Sequence, residues 1–170
     1  GPFEGATIRI TPSGKIFLMS GAAPQGQGHQ TTLAQICAEK FGVGIEDVEV
    51  HLADTTKIAH GVGTFASRIA CNAGPSVHLA ALEVRSKVVK IASHLLEAAE
   101  EDIELEEGRA FVRGVPNMSK TLGEIAYAVA GSPGFVLPSG LKPGLEATHY
   151  FSPNQFAYCN GTHIAEVEVD

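Results

Sequence analysis

The chain has 170 residues, 44% of them hydrophobic, which is enough for one domain or two small lobes with a proper core. Its formal net charge of -7, with no cluster of Lys or Arg, argues against general nucleic-acid binding, where many phosphates must be neutralised at once. No apolar run approaches the roughly 20 residues that span a bilayer, and no basic segment followed by an apolar one opens the chain, so neither membrane insertion nor export is indicated.

The first predicted strands are Ala6-Thr-Ile-Arg-Ile10 and Lys15-Ile-Phe-Leu-Met19, joined as a hairpin by the turn residues Thr11-Pro-Ser-Gly14. A glycine-punctuated stretch, Gly21-Ala-Ala-Pro-Gln-Gly-Gln-Gly28, leads into a helix from His29 to Phe41. Leu33, Ile36, Cys37 and Phe41 recur there at helical spacing before Gly42 ends it. Val48 to Leu52 alternates as a strand. A second glycine-bearing loop, His60-Gly-Val-Gly-Thr-Phe-Ala-Ser-Arg68, is expected to run on through Asn72-Ala-Gly74, with Pro75 in the first turn of the next helix.

From there Val77, Ala81, Val84, Val88, Ile91, Leu95 and Ala98 alternate in steps of four and three. This is an amphipathic stripe, with Glu83, Arg85, Lys87 and Lys90 facing solvent. Ile103 to Leu105 and Ala110 to Val112 flank Glu106-Glu-Gly108 as a second hairpin. Ser119 or Thr121 is the expected N-cap of a short helix through Glu124-Ile-Ala-Tyr-Ala-Val129, and three prolines make 131–144 a loop. Leu145 to Phe151 and Thr162 to Val169 are the expected closing strands. The fold class is α+β: a mixed or antiparallel sheet with hairpins, one long amphipathic helix and one or two shorter ones, all within one region, 1–170.

Two loops carry the chemistry. Gln25-Gly-Gln-Gly28 stands immediately before a helix, where glycines let successive N–H groups point into one concavity and the helix N-terminus adds partial positive charge. It is neither the dinucleotide-binding G-x-G-x-x-G nor a nucleoside triphosphate P-loop, and taken alone it reads more readily as turn residues before a helix. Gly61 to Arg68 repeats the arrangement with hydroxyls on Thr64 and Ser67 and a guanidinium on Arg68 able to grip phosphate. Two anion-suited loops in one small domain suit a pyrophosphate.

Gln25-Gly-Gln-Gly-His-Gln-Thr31 also resembles the G-Q-G-H-x-T segment of carbon monoxide dehydrogenase large chains and their relatives in the xanthine oxidase and aldehyde oxidase family of molybdenum hydroxylases. Gly63-Thr-Phe-Ala-Ser-Arg68 is similar to that family's second cofactor segment, and Leu122-Gly-Glu-Ile-Ala126 and Gly161-Thr-His-Ile-Ala-Glu-Val-Glu-Val169 extend the likeness along nearly the whole chain. The resemblance implies a molybdopterin cofactor, in bacterial members usually the cytosine dinucleotide. Gln25, Gly26, Gln27, Gly28 and His29 would lie on one side of it, and Thr64, Phe65, Ala66, Ser67 and Arg68 on the other. It further implies a larger molybdenum-dependent oxidoreductase in which this region packs against the rest of its own subunit. FAD and iron–sulfur clusters would sit in partner subunits or domains.

The Gly-x-Gly-Glu setting of the family's catalytic base and its cysteine-bearing active-site loop do not occur in these residues. No catalytic residue is therefore assigned, and the region alone is expected to be inactive. Gly123-Glu124 falls in a predicted helix, and Gln30 stands where many relatives have Glu. The chain lacks an initial Met and stops within an alternating stretch, and so reads as a piece of a longer polypeptide. Cys37, Cys71 and Cys159 are odd in number and form no CxxC, which counts against a disulfide framework or zinc knuckle and for a reducing cytoplasm. The seven histidines form no H-x-x-x-H pair, so no metal ligand is assigned. His29, at a helix start, either bonds a ligand or caps the turn. The acidic run from Glu97 to Glu107 reads as solvated surface. Two other functions fit the same residues: a stand-alone phosphate- or nucleotide-binding module without redox chemistry, and a structural domain whose glycines serve only turns.

Overall fold

The computed structural model describes residues 3–154 and 161–169. Strand β1 (Glu4–Ile10) turns Glu4, Ala6, Ile8 and Ile10 into the core, while Thr7 and Arg9 face away from it. It pairs antiparallel with β2 (Ile16–Ser20) across the expected turn, where Thr11 N donates to Lys15 O at 3.0 Å and Gly14 takes φ 82°. The chain then rises through α1 (His29–Phe41) and returns as β3 (Val48–Leu52), parallel to β2; a parallel neighbour requires such a crossover. On the far side of β1 lies β7 (Leu145–Phe151), antiparallel to it, which gives the sheet order β3-β2-β1-β7.

The 28-residue helix α2 (Ile69–Leu96) packs across β1 and β7 and against α1. Val77, Val84, Val88 and Ile91 are buried as the stripe requires, meeting Ile8, Leu18 and Phe41 in one core. Each such side chain contributes about 1.5–3 kcal/mol relative to an exposed one. Beyond α2 the strands β4 (Ile103–Glu106), β5 (Arg109–Val112) and β6 (Val115–Thr121) form a separate antiparallel sheet, followed by α3 (Leu122–Val129). Glu107 and Gly108 join β4 to β5 with φ 48° and 68°, the two positive values that a tight hairpin of matching twist needs. Thr121 is the N-cap of α3: its hydroxyl accepts from Glu124 N while the Glu124 carboxylate accepts from Thr121 N.

The α+β class holds, with a mixed and an antiparallel sheet, but three elements differ from expectation. Helix α2 begins at Ile69, so Asn72, Ala73 and Gly74 lie inside it and Pro75 is past the first turn. Gly and Pro weaken a helix by about 1 and 3 kcal/mol, yet Asn72, Ala73, Ser76 and Val77 are all buried, and that packing overrides the local preference. The alternating stretch 162–169 joins neither sheet, and all its residues are exposed, with Ile164 at 91%. Alternation says which face a strand would bury, but a strand forms only where an edge pairs with it. Strand β6 escaped the sequence reading because its first four residues are all exposed and supply no alternation. Cys159 lies outside the described residues.

Candidate functional site

The two glycine loops lie side by side at one end of the four-stranded sheet. Their contact begins where β2 ends. A Cβ on Gly21 would overlap Gly61 Cα and Glu4 Oε1, and one on Gly61 would stand 2.7 Å from Gly21 Cα, so backbone meets backbone. Farther out, Gln25 Nε2 donates to Thr64 O at 3.3 Å, and Gln27 Oε1 accepts from Gln25 N at 2.6 Å. Gly26 and Gly28 take φ 95° and 76° with nothing within 4 Å of where a Cβ would be; their freedom shapes an open loop. Of the ten residues read as a site, nine lie in this exposed or half-buried rim and the tenth, Arg68, lies beneath it.

Both helices start here without a side-chain cap. Gly28 precedes α1 and Arg68 precedes α2, and neither N-terminus receives a side-chain hydrogen bond. The first-turn N–H groups at 29–31 and 69–71 have no intrahelical acceptor, so two partly positive ends open onto the same rim. Two buried polar atoms there, His29 Nε2 and Thr64 Oγ1, also lack a hydrogen-bond partner. Such atoms cost about 1–3 kcal/mol each unless something answers them. Burial holds the His29 imidazole below its ordinary value, so the ring is neutral near pH 7 and offers one donor and one acceptor.

The second loop is held from below. Arg68, only 6% exposed, donates through Nη1 to Glu4 Oε2 at 2.8 Å and to Gly63 O at 2.7 Å, and through Nη2 to Phe3 O at 3.0 Å. Its guanidinium carbon also lies 5.4 Å from the Phe65 ring centroid. The side chain expected to grip phosphate thus spends these donors on protein acceptors. Gly63 has φ 90°, and Ala66 and Ser67, neither a glycine, have φ 51° and 54°. Left-handed backbone costs an L residue roughly 1–2 kcal/mol, so two in succession are kept only by surroundings that over-determine the loop.

Glu4 is the residue the sequence reading missed. It is fully buried, and its only signal is phase: it continues the inward-facing positions Ala6, Ile8 and Ile10 with a charge. Cys71, unassigned from sequence, sits in the first turn of α2 with Sγ 3.3 Å from Arg68 O. Cys37 faces the core from α1, and burial pushes its thiol up to about 12. Glu97 and Glu104 to Glu107 lie far along the chain from this rim, around the end of α2 and the second sheet.

Residues 1–170 match the molybdopterin cofactor-binding domain family. The chain belongs to that family. It is 41% identical over 170 residues to the carbon monoxide dehydrogenase large chain of Hydrogenophaga pseudoflava, covering all of this chain and 21% of that one. It is 40% identical over 167 residues to the nicotine 6-hydroxylase large subunit of Paenarthrobacter nicotinovorans, covering 98% of this chain and 20% of that subunit. The structure of reconstituted CO dehydrogenase from Oligotropha carboxidovorans superposes with a TM-score of 0.77 at 39% identity, over 89% of this chain and 18% of that one. This molybdopterin-binding region therefore spans about a fifth of the length of the curated relatives it matches. Among the described residues, no helix is long and apolar enough to cross a membrane.

Proposed function

We propose that the chain forms the cofactor-facing part of a molybdenum-dependent hydroxylase or dehydrogenase, and that the rim of the two loops receives the pterin and diphosphate of a molybdopterin cytosine dinucleotide. The observation that carries this is the pairing of two uncapped helix N-termini with two buried, unanswered polar atoms, His29 Nε2 and Thr64 Oγ1, on loops tied by Gln25. Open N–H groups at helix starts stabilise phosphate oxygens, and a neutral imidazole and a hydroxyl supply the directional bonds that fix a heterocycle.

In this reading Gln25, Gly26, Gln27, Gly28 and His29 hold one side of the cofactor and Thr64, Phe65, Ala66 and Ser67 the other. Arg68 serves from beneath by shaping the loop. When bound, the molybdenum centre supplies the two-electron redox chemistry. The residues of this region bind and orient the cofactor and shield its phosphates from water, while the general base, substrate pocket and iron–sulfur and FAD partners belong to other regions and subunits. The whole enzyme works in the cytoplasm, and this region turns over no substrate alone.

Thr64→Val and Gly26→Asp in the full-length protein test the reading. The first removes an unanswered hydroxyl at nearly constant volume, and the second sets a carboxylate against the expected phosphate. Both variants are expected to lose most of their molybdenum and pterin, measured by elemental analysis and by fluorescence of the oxidised pterin. Acid release of cytidine monophosphate from the unaltered protein identifies the dinucleotide. Undiminished metal and pterin in both variants would overturn the assignment of the rim.

A further inference from the structure

We propose that Glu4 is a positioning residue for this cofactor rim, acting through Arg68 to keep the second loop in its strained, donor-presenting shape. The proposal rests on the reading of the loops given above and adds a residue at the foot of β1 that touches no ligand.

The Glu4 carboxylate grips the second loop at both ends. Oε2 accepts from Val62 N at 3.4 Å, near the start of the loop, and from Arg68 Nη1 at 2.8 Å, at its end. Arg68 in turn ties back to Gly63 O and to Phe3 O. The Glu4 carbonyl accepts from Ser76 Oγ at 2.7 Å, which fixes the same residue to the second turn of α2. Between the clamped ends lie Gly63, Ala66 and Ser67, the three residues of the loop with positive φ. Loop, strand and helix thus meet at one buried residue.

An ion pair buried as deeply as this, with Glu4 at 0% and Arg68 at 6% exposure, is a poor source of net stability, because desolvation cancels most of the attraction. What such a pair does well is select one geometry, since each alternative leaves a buried charge without its partner. Two adjacent L residues at positive φ need that selection, and without it the loop relaxes to extended backbone and its N–H groups turn from the rim. The guanidinium is expended on loop shape, and the ligand is left to backbone donors and hydroxyls.

The test uses the full-length protein and three readings: deuterium exchange of peptides spanning 61–68, thermal midpoint, and molybdenum per chain. Glu4→Gln keeps size and an acceptor but removes the charge. It is expected to speed exchange at 62–68 at least tenfold, with α1 and β3 unchanged, and to lower molybdenum at least fivefold. Adding Ala66→Gly, which removes only a methyl, relieves one of the two left-handed positions without the clamp. This is expected to restore at least half of the molybdenum without restoring the thermal midpoint, whereas a merely structural role predicts loading that follows the midpoint. If Glu4→Gln does not accumulate, Glu4→Asp, with the charge kept and the reach shortened, is expected to give a smaller rise in exchange. Exchange at 62–68 unchanged in the accumulating variant overturns the proposal. So does faster exchange with full molybdenum while Thr64→Val loses it. Full molybdenum in both Glu4→Gln and Thr64→Val overturns the rim assignment and this proposal together.

Discussion

Gly21 and Gly61 face each other across the two loops with no room for a side chain on either. Gly61 has no positive φ, so its constraint is space: a methyl there would meet Gly21 Cα at 2.7 Å and Ile58 Cδ1 at 3.0 Å. Gly61→Ala is expected to cost about 1–3 kcal/mol by forcing backbone apart, and Gly61→Asn more. Gly26, with φ 95° and open surroundings, is constrained by conformation alone, so Gly26→Asn should be milder than Gly26→Ala because Asn tolerates left-handed backbone. Denaturant midpoints of the four variants check this. The same order of Ala and Asn at both positions would refute it.

Gln25 and Thr64 supply the side-chain bridge between the loops. Being exposed, the bond adds at most about 0.5–1.5 kcal/mol, so Gln25→Ala should leave the melting temperature nearly unchanged. Gln25→Glu sets an acceptor against the Thr64 carbonyl oxygen and should spread the loops. Cofactor loading is expected to fall further for Gln25→Glu than for Gln25→Ala, measured as molybdenum per chain. Equal loading in the two would show that the bridge does not hold the rim together.

The capping box of α3 makes an acid-side prediction. Bonds from the Thr121 backbone N–H and then its hydroxyl hold the Glu124 carboxyl below its ordinary 4.5. A lowered folded-state value means that the stabilisation is present above 4.5 and is lost as pH falls through the lowered value. Thr121→Ala should cost about 1 kcal/mol near neutral pH. It should also flatten the decline in urea midpoint on acidification, and an unaltered acid limb would count against the assignment.

Cys37 governs the alkaline side. Burial raises its thiol from 9.0 to about 12, so the folded chain keeps a proton that the unfolded chain gives up. The stability this contributes is complete below 9.0 and is lost as pH rises through about 12. Cys37→Ala should remove that part of the alkaline decline. In the native protein at neutral pH an alkylating reagent should label Cys71 well before Cys37, as mapped by peptide mass spectrometry. Labelling of Cys37 at the rate of Cys71 would contradict its place in the core.

Strong, short-range signals were legible in the sequence. Gly42 ends α1, Thr121 caps α3 and the Val77 to Ile91 stripe is buried as its spacing requires. The loops were legible too, because glycines before helices are conspicuous. What failed was tertiary. Pro75 reads locally as a helix start, and only burial of Asn72 and Ser76 shows that the helix begins earlier. The partner of Arg68 lies 64 residues away, and spacing within a loop cannot tell a guanidinium that faces a ligand from one that faces Glu4. Residues 162–169 alternate as a strand should, but alternation carries no information about whether an edge is there to receive it.

The placement of β7 at the far edge of β1 has a consequence for the order of folding. Glu4 and Phe151 are register partners, so the sheet is completed by contacts between segments far apart in the sequence. The strands, helices and buried ion pair that shape the loops are all complete in sequence by Leu96. The rim can therefore take form on the nascent chain before the sheet is finished. Until β7 arrives, the side of α2 that it covers stays bare.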